Sequence, residues 1–265
     1  MGYERRYNPA LQFDDRDAFV EFMCEGQPSR PANVLEIIAI NQGRSPLTMD
    51  EPAAPALAPQ AFSELIAAGH MVIDTRDVAA FGGGHIPGAF NFKMASPEFE
   101  QRVGWVVPLE TPMLLVLDGD GLASAALRKL AFIGLDSRVK GFLAGGMGAW
   151  TAAGAPQSTL AQISVSELQR HLSNGGGMSV LDVREDAEWD EGHIEGASQM
   201  NFKVLDEHLG DIGMGPADSL SVVCGGGVRS STACSILLRH GYARVHNVTG
   251  GMGAWSAADL PTVRD

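Results

Sequence analysis

At residues 220–231 the sequence reads LSVVCGGGVRSS. An apolar run ends at Cys224, three glycines follow it, and a segment of helical character runs from Thr232 to His240. This pattern predicts a buried strand, a glycine loop and a helix, because glycines let successive backbone N–H groups turn toward one point. The helix N-terminus and Arg229 add positive charge, which favours the thiolate form of a cysteine held there. We therefore expect Cys224 to be a reactive thiol rather than a structural one.

Four short motifs occur in the same order in both halves of the chain, roughly a hundred residues apart, as in proteins built from repeated units. The pairs are VIDTR at 72–76 and VLDVR at 180–184, HIPGA at 85–89 and HIEGA at 193–197, NFK at 91–93 and at 201–203, and GGMGAW at 145–150 and at 250–255. We therefore predict three parts: an N-terminal helical segment and linker over 1–56, a first copy over 57–157 and a second copy over 158–265.

The first copy lacks the cysteine. Its stretch LDGDGLAS at 117–124 corresponds to the cysteine loop, and the motif spacing places Asp118 opposite Cys224 and Ala123 opposite Arg229. A carboxylate cannot carry sulfur, and it repels the anions that a positively charged loop accepts. We predict that only the second copy performs thiol chemistry and that the first copy is a scaffold.

Short apolar runs alternate with segments of helical character, which predicts α/β domains with parallel sheets. In such sheets ligands bind beyond the C-terminal ends of the strands, where Cys224 is placed. Ser164 followed by Glu167 is a capping-box pattern that opens a helix in the second copy. Ahead of the repeat, helices are predicted from Asp15 to Glu25 and from Asn33 to Asn41.

Several polar residues are shared by both copies, or lie on an apolar helix face, and are expected to be architectural. His193 and its partner in the first copy should bond the backbone of their turns. Asp182 and Arg184 should form a buried ion pair. Cys234, with leucines three and four residues later, should be a core residue of its helix.

Composition excludes several classes of protein. A net charge of −13 disfavours binding to nucleic acid or to an anionic membrane. Three cysteines without a paired spacing indicate a reducing compartment. No apolar run approaches the length of a membrane span and the first residues lack a signal-peptide core, so we expect a cytoplasmic protein. No histidine pair has metal-ligand spacing, so neither a metal nor another cofactor is expected.

In this order and repeated, VLDVRE, HIEGA, CGGGVRS and GGMGAW resemble the rhodanese family of sulfurtransferases. The resemblance covers about residues 57–265 and implies two tandem domains, each a parallel five-stranded sheet flanked by helices. It implies that Cys224 is catalytic and that the loop from Gly225 binds the transferred sulfur. The loop residues are Gly225, Gly226, Gly227, Val228, Arg229 and Ser230. The implied reaction moves sulfane sulfur from thiosulfate or a low-molecular-weight persulfide to a thiol, sulfite or cyanide.

The N-terminal segment carries a second resemblance. YERRYNPAL at 3–11 and PANVLEIIAIN at 31–41 are similar to the region after the catalytic domain in metallo-β-lactamase–rhodanese fusions of the persulfide dioxygenase type. The metal-binding domain of those fusions, with its HxHxDH run, is absent from this sequence. The resemblance implies a metallo-β-lactamase-fold persulfide dioxygenase as a partner.

Two other functions are compatible with a reactive cysteine in this loop. Cysteine phosphatases and arsenate reductases use a similar scaffold, but their loops place five residues between cysteine and arginine, and four lie between Cys224 and Arg229. A persulfide carrier or sensor that delivers sulfur to a partner protein would need the same thiol without fast turnover of small acceptors.

Overall fold

The computed structural model describes residues 2–25, 30–31, 33–44, 50–175 and 177–264. Parts of the predicted N-terminal segment, at 26–29 and 45–49, lie outside the described residues. The chain divides into two compact units, Met1–Arg30 and Pro31–Asp265. Across the described residues no helix combines the length and the apolar character needed to cross a membrane.

The unit Met1–Arg30 contains helices α1 (Gly2–Tyr7) and α2 (Arg16–Cys24). Asp15 caps α2, because its side chain accepts a hydrogen bond of 2.8 Å from the backbone N–H of Ala18. The helix predicted from Asp15 to Glu25 is confirmed.

The second unit begins with α3 (Val34–Asn41), which confirms the other predicted N-terminal helix. The first copy then alternates strands and helices. In chain order they are β1 (Ala56–Leu57), α4 (Pro59–Ala67), β2 (Met71–Asp74), α5 (Val78–Gly83), β3 (Phe90–Asn91), α6 (Phe99–Val106), β4 (Met113–Val116), α7 (Ala123–Ala131), β5 (Val139–Leu143) and α8 (Gly146–Ala152). The strands form one parallel sheet in the order β1-β5-β4-β2-β3.

The second copy repeats this arrangement. Its elements are β6 (Ala161–Ile163), α9 (Val165–Ser173), β7 (Met178–Asp182), α10 (Asp186–Asp190), β8 (Ser198–Gln199), β9 (Ser219–Val223), α11 (Val228–Arg239), β10 (Arg244–Val248) and α12 (Gly251–Ala257). Its parallel sheet has the equivalent order β6-β10-β9-β7-β8. Ser164 caps α9 by accepting a hydrogen bond from the N–H of Glu167. The predicted fold, two α/β domains with parallel five-stranded sheets, is confirmed.

The register of the central strands corrects one predicted equivalence between the copies. Val116 pairs with Asp74 in the first sheet, and Val223 pairs with Asp182 in the second. The residue that follows Val116 is Leu117, so Leu117 and not Asp118 occupies the position of Cys224. The prediction was shifted by one residue because it placed the loop between motifs whose spacing varies, whereas strand pairing fixes the register physically. By the same count Leu122, not Ala123, stands opposite Arg229.

The repeated tripeptide NFK is also misaligned by the sequence comparison. Asn91 pairs with Asp74, and Gln199 pairs with Asp182, so Asn91 corresponds to Gln199 rather than to Asn201. Each side chain donates to the backbone carbonyl of an equivalent arginine, at 3.2 Å in both copies. The amide function has been kept at this position, while the residue type has changed.

The two copies are joined where β3 of the first lies against α11 of the second. Ser231 Oγ donates to Asn91 Oδ1 at 2.6 Å, and Thr232 Oγ1 donates to the carbonyl oxygen of Asn91 at 2.7 Å. The backbone N–H of Asn91 in turn donates to Ser235 Oγ at 3.2 Å. All four residues are buried. Because α11 carries the cysteine loop at its start, this contact fixes the loop relative to both copies.

Candidate active site

Cys224 follows β9 directly and lies at the base of the loop that leads into α11. Its side chain is buried, with 1% of the residue exposed. The sulfur accepts a hydrogen bond of 3.1 Å from the backbone N–H of Gly227 and lies 3.4 Å from Ser230 Oγ. Gly227 has a φ of 91°, which a residue with a side chain rarely adopts, and this turns its N–H back toward the sulfur. The predicted order of strand, glycine loop and helix is confirmed.

Two further N–H groups of the loop are available. Among the described residues, neither the backbone N–H of Gly225 nor that of Gly226 donates a hydrogen bond to another residue. Gly226 is exposed and Gly225 is half-buried. Unpaired backbone donors at a helix start form a site for a negatively charged atom.

The repeated motif GGMGAW holds the loop from behind. The N–H of Met252 donates to the carbonyl oxygen of Cys224 at 2.8 Å, and the N–H of Gly253 donates to that of Gly225 at 2.9 Å. Gly251 has a φ of 52°, and a Cβ atom there would overlap the carbonyl oxygen of Cys224. The motif therefore fixes the position of the cysteine.

A buried polar network supports the other side of the loop. Ser230 Oγ donates to Asn247 Oδ1 at 2.6 Å, and Asn247 Nδ2 donates to Gln162 Oε1 at 2.9 Å and to the carbonyl oxygen of Gly227 at 3.2 Å. Sequence reasoning missed Asn247, because a single asparagine in a strand gives no signal until the strand is placed beside the loop.

Arg229 lies at the rim of the loop in a two-point ion pair that the sequence did not predict. Its Nη1 and Nη2 donate to the two carboxylate oxygens of Glu188, at 2.5 and 2.7 Å. The pair lies against Gly225, where a Cβ would be 3.1 Å from Arg229 Nη2. The hydrogen bonds that Arg229 donates to Glu188 raise the pKa of Arg229 and hold the pKa of Glu188 below its usual value. Arg229 was expected to add positive charge to the loop, whereas Glu188 largely neutralises that charge.

A second arginine, from the first copy, lines the same cavity as Arg229. Arg102 on α6 is buried, and burial lowers its pKa, while the negative charges of Glu98 and Cys224 raise it. Its Nη1 donates to the carbonyl oxygen of Pro97 at 2.7 Å. Sequence reasoning did not select Arg102, because it lies more than a hundred residues before the loop.

The residues expected to be architectural have such contacts. Nδ1 of His193 lies 3.3 Å from the carbonyl oxygen of Trp189, and the two rings stack with centroids 3.5 Å apart. Asp182 and Arg184 form a buried ion pair of 2.7 Å. Cys234 lies in the core, where burial raises the pKa of its thiol well above the usual value.

The corresponding loop of the first copy has no thiol. Leu117 is buried at the position of Cys224, and the next residue, Asp118, is exposed. Asp120 Oδ1 accepts a hydrogen bond of 2.9 Å from the N–H of Gly145, in the first GGMGAW motif. A buried leucine fills the place where a nucleophile would stand.

A family model for the rhodanese-like domain matches the chain twice, at residues 58–153 and 164–258. The chain belongs to the rhodanese family. The two matches fall on the two copies of the repeat, so the family resemblance of the motifs is confirmed. They do not extend to residues 1–57.

Several characterised rhodanese relatives are similar to part of the chain. A sulfurtransferase of Allochromatium vinosum is 32% identical over 103 residues, covering 38% of this chain and 94% of that protein. Thiosulfate sulfurtransferase GlpE of Shewanella oneidensis is 29% identical over 102 residues, covering 38% of this chain and 98% of that protein. A crystal structure of a rhodanese-like domain protein from Staphylococcus aureus is 28% identical, covers 40% of this chain and 99% of that chain, and has a TM-score of 0.37. The relatives support a role in the sulfurtransferase family.

Proposed function

We propose that this rhodanese-family protein is a sulfurtransferase that carries sulfane sulfur on Cys224. One observation carries the proposal: the buried sulfur of Cys224 accepts the N–H of Gly227, while the N–H groups of Gly225 and Gly226 have no partner in the part of the chain that the structure describes. A terminal sulfur added to Cys224 would be a negatively charged atom beside these donors. Preorganised N–H groups stabilise such charge as an oxyanion hole does.

The reaction has two steps. The Cys224 thiolate attacks the outer sulfur of thiosulfate or of a low-molecular-weight persulfide, the sulfur–sulfur bond of the donor breaks, and sulfite or a thiolate leaves with the bonding electrons. A thiol, sulfite or cyanide then attacks the outer sulfur of the Cys224 persulfide, and the cysteine leaves as a thiolate. The cycle is ping-pong, because the donor product leaves before the acceptor reacts with the Cys224 persulfide. The transferred sulfur passes from donor to acceptor without net oxidation or reduction, so no redox cofactor is required.

The loop supports sulfur transfer over phosphoryl or arsenate chemistry. Four residues lie between Cys224 and Arg229, one fewer than in the phosphatase loops. The shorter loop favours a single terminal sulfur over a tetrahedral oxyanion. A persulfide carrier remains the alternative, distinguished by slow turnover with small acceptors and fast transfer to a partner protein.

The decisive experiment is mass spectrometry of the protein after exposure to thiosulfate. We expect one added sulfur on the peptide that contains Cys224, and loss of turnover in Cys224→Ser. The matched control is Cys234→Ser, which removes the buried thiol on α11 and should retain most of the turnover. Substantial sulfur transfer by Cys224→Ser would refute the assignment.

We also propose bounds for the domains, a partner and a location for this protein. We place the catalytic domain at 158–265, the inactive domain at 57–157 and the N-terminal segment at 1–56. The resemblance of the N-terminal segment supports a metallo-β-lactamase-fold persulfide dioxygenase as a partner. The three cysteines form no disulfide among the described residues, which supports a cytoplasmic location for this protein. Binding of a purified dioxygenase to the full chain, measured by calorimetry, tests this partner.

A further inference from the structure

A chain of hydrogen bonds runs from Cys224 to the neighbouring strands β10 and β6. Ser230 Oγ lies 3.4 Å from the sulfur and donates to Asn247 Oδ1 at 2.6 Å. Asn247 Nδ2 donates to Gln162 Oε1 at 2.9 Å and to the carbonyl oxygen of Gly227 at 3.2 Å. Ser230 and Asn247 are fully buried. Because buried polar atoms need hydrogen-bond partners, these two side chains depend on each other and on their immediate neighbours.

The carbonyl oxygen of Gly227 fixes which way the amide of Asn247 faces. A carbonyl oxygen only accepts hydrogen bonds, so it must face the nitrogen of the amide and not its oxygen. The amide oxygen of Asn247 therefore faces Ser230, and this oxygen also only accepts. The single hydroxyl proton of Ser230 is thus directed to Asn247, which leaves the lone pairs of Ser230 Oγ facing the sulfur of Cys224.

Asn247 and Cys224 compete for this one proton. At 3.4 Å from the sulfur, the hydroxyl of Ser230 can also donate to Cys224 by rotating about its C–O bond. A thiolate accepts hydrogen bonds strongly because it is charged, whereas an uncharged sulfur is a weak acceptor. The sulfur of Cys224 is charged in the free thiolate, but in the persulfide the charge lies on the outer sulfur. The proton of Ser230 therefore faces Cys224 in the thiolate state and Asn247 in the persulfide state.

The copy without a thiol has apolar residues at every position of this chain. By strand register and by the count along the loop, the equivalents of Gln162, Asn247 and Ser230 in the first copy are Ala56, Phe142 and Ala123. The buried ion pair of Asp182 and Arg184 behaves differently, because the first copy has an equivalent ion pair of 2.6 Å. The hydrogen-bonded chain therefore accompanies the thiol, whereas the ion pair accompanies the fold.

We propose that Asn247 is a positioning residue for sulfur transfer, which acts through Ser230 to set how readily Cys224 releases its sulfur. By holding the hydroxyl proton of Ser230, Asn247 favours the persulfide, whose inner sulfur is uncharged, over the thiolate, which gains from a donor. The proposal rests on the proposed sulfurtransferase function and concerns the same site.

The step in which this matters is the release of sulfur. When sulfite attacks the outer sulfur of the persulfide, a new sulfur–sulfur bond forms and thiosulfate leaves. The bond between the outer sulfur and Cys224 breaks, and its electron pair stays on Cys224, which becomes a thiolate. The hydroxyl of Ser230 then turns from Asn247 to this thiolate and keeps its proton, so no proton is transferred.

The test compares the loading and the release of sulfur in the full chain. The rate constant of loading by thiosulfate and that of release to sulfite are each measured by mass spectrometry of the peptide that contains Cys224. Release to sulfite is the reverse of loading by thiosulfate, so the ratio of the two rate constants is an equilibrium constant. A substitution that only slows the chemistry leaves this release-to-loading ratio unchanged.

Two substitutions should move the release-to-loading ratio in opposite directions. Asn247→Leu removes the competing acceptor, so Ser230 donates to the thiolate without competition and the ratio should rise about tenfold, the effect of one hydrogen bond. Ser230→Ala removes the donor, so the ratio should fall by a similar factor. Ser230→Thr retains a hydroxyl group and should keep the ratio of the wild type.

A double variant separates this role of Asn247 from a structural one. In the Ser230→Ala background, Asn247→Leu should leave the ratio unchanged, because there is no hydroxyl proton for Asn247 to hold. Loss of the hydrogen bond to the carbonyl oxygen of Gly227 would act equally in both backgrounds. Thr249→Val is the matched control, since the hydroxyl of Thr249 lies beside the same loop but donates to the carbonyl oxygen of Ile163 at 3.0 Å. Its ratio should equal that of the wild type.

An unchanged ratio in Ser230→Ala would overturn the proposal, as would an equal effect of Asn247→Leu in the two backgrounds. If Asn247→Leu does not fold, Asn247→Ala takes its place, because it also lacks the acceptor and its smaller side chain cannot clash. A wild-type protein that thiosulfate cannot load with sulfur would instead refute the proposed function, so the two failures are distinguishable.

Discussion

A single methyl group at Gly251 should displace the cysteine loop. In Gly251→Ala the added Cβ would overlap the carbonyl oxygen of Cys224 and lie 2.9 Å from the carbonyl carbons of Cys224 and Gly225. Carbon atoms in contact are ordinarily about 3.5–4.0 Å apart, so the loop must move by roughly 1 Å. The same change breaks the geometry of the hydrogen bond from the N–H of Met252 to Cys224.

The expected effect on activity is much larger than that on stability. Displacement of a reacting group by about 1 Å costs on the order of a hundredfold in rate. The left-handed conformation of Gly251, with a φ of 52°, adds about 1–2 kcal/mol of destabilisation when alanine is introduced. We would measure kcat/KM for sulfur transfer from thiosulfate to cyanide, together with the free energy of unfolding in urea.

The repeat provides a matched control for this experiment. Gly146 occupies the same position in the first copy, with a φ of 56°, and a Cβ there would lie 2.9 Å from the carbonyl oxygen of Leu117. Gly146→Ala should therefore cost similar stability and leave sulfur transfer within about threefold of the wild type. A folded Gly251→Ala protein with near wild-type activity would refute the reasoning, as would an equal loss of activity in both variants.

Two other substitutions test the contacts that position the loop. Asn91→Ala removes three buried side-chain hydrogen bonds and should lower the free energy of unfolding in urea by about 3 kcal/mol, at about 1 kcal/mol each. The control Gln199→Ala should lower it by about 2 kcal/mol or less, because the second of its two hydrogen bonds is exposed. Equal losses would contradict the role of Asn91 at the contact between the copies. Glu188→Gln leaves Arg229 without its counter-charge and should raise the rate at which anionic iodoacetate alkylates the loop cysteine, relative to neutral iodoacetamide, by several-fold. Arg229 lowers the pKa of Glu188 from 4.5, so the iodoacetate-to-iodoacetamide rate ratio of the wild type should stay constant as the pH falls to that value and rise only below it. An unchanged rate ratio in Glu188→Gln would show that the Arg229–Glu188 ion pair does not control access to Cys224.

Local patterns in the sequence were sufficient for the fold and for the position of the thiol. Apolar runs, caps and glycines act on residues close by in the chain, so strands such as Ser219–Val223 and the cap at Ser164 follow from their neighbours. The repeat predicted the number of domains, and the glycine loop after Cys224 indicated which copy holds the reactive thiol. His193 and Cys234 could be assigned to the architecture for the same reason, since repetition and helix periodicity are properties of the sequence itself.

Only the tertiary structure decided which groups meet at the loop. Leu117 could be assigned to the position of the cysteine only from strand register, which backbone hydrogen bonds fix and motif spacing does not. Glu188 neutralises the charge of Arg229, and Asn91 of the first copy accepts a hydrogen bond from Ser231 on α11. Both pairings join side chains that are far apart in sequence. Such an interaction depends on the distance between two side chains in space. That distance is set only when the two sheets have packed, so the order of residues along the chain does not reveal it.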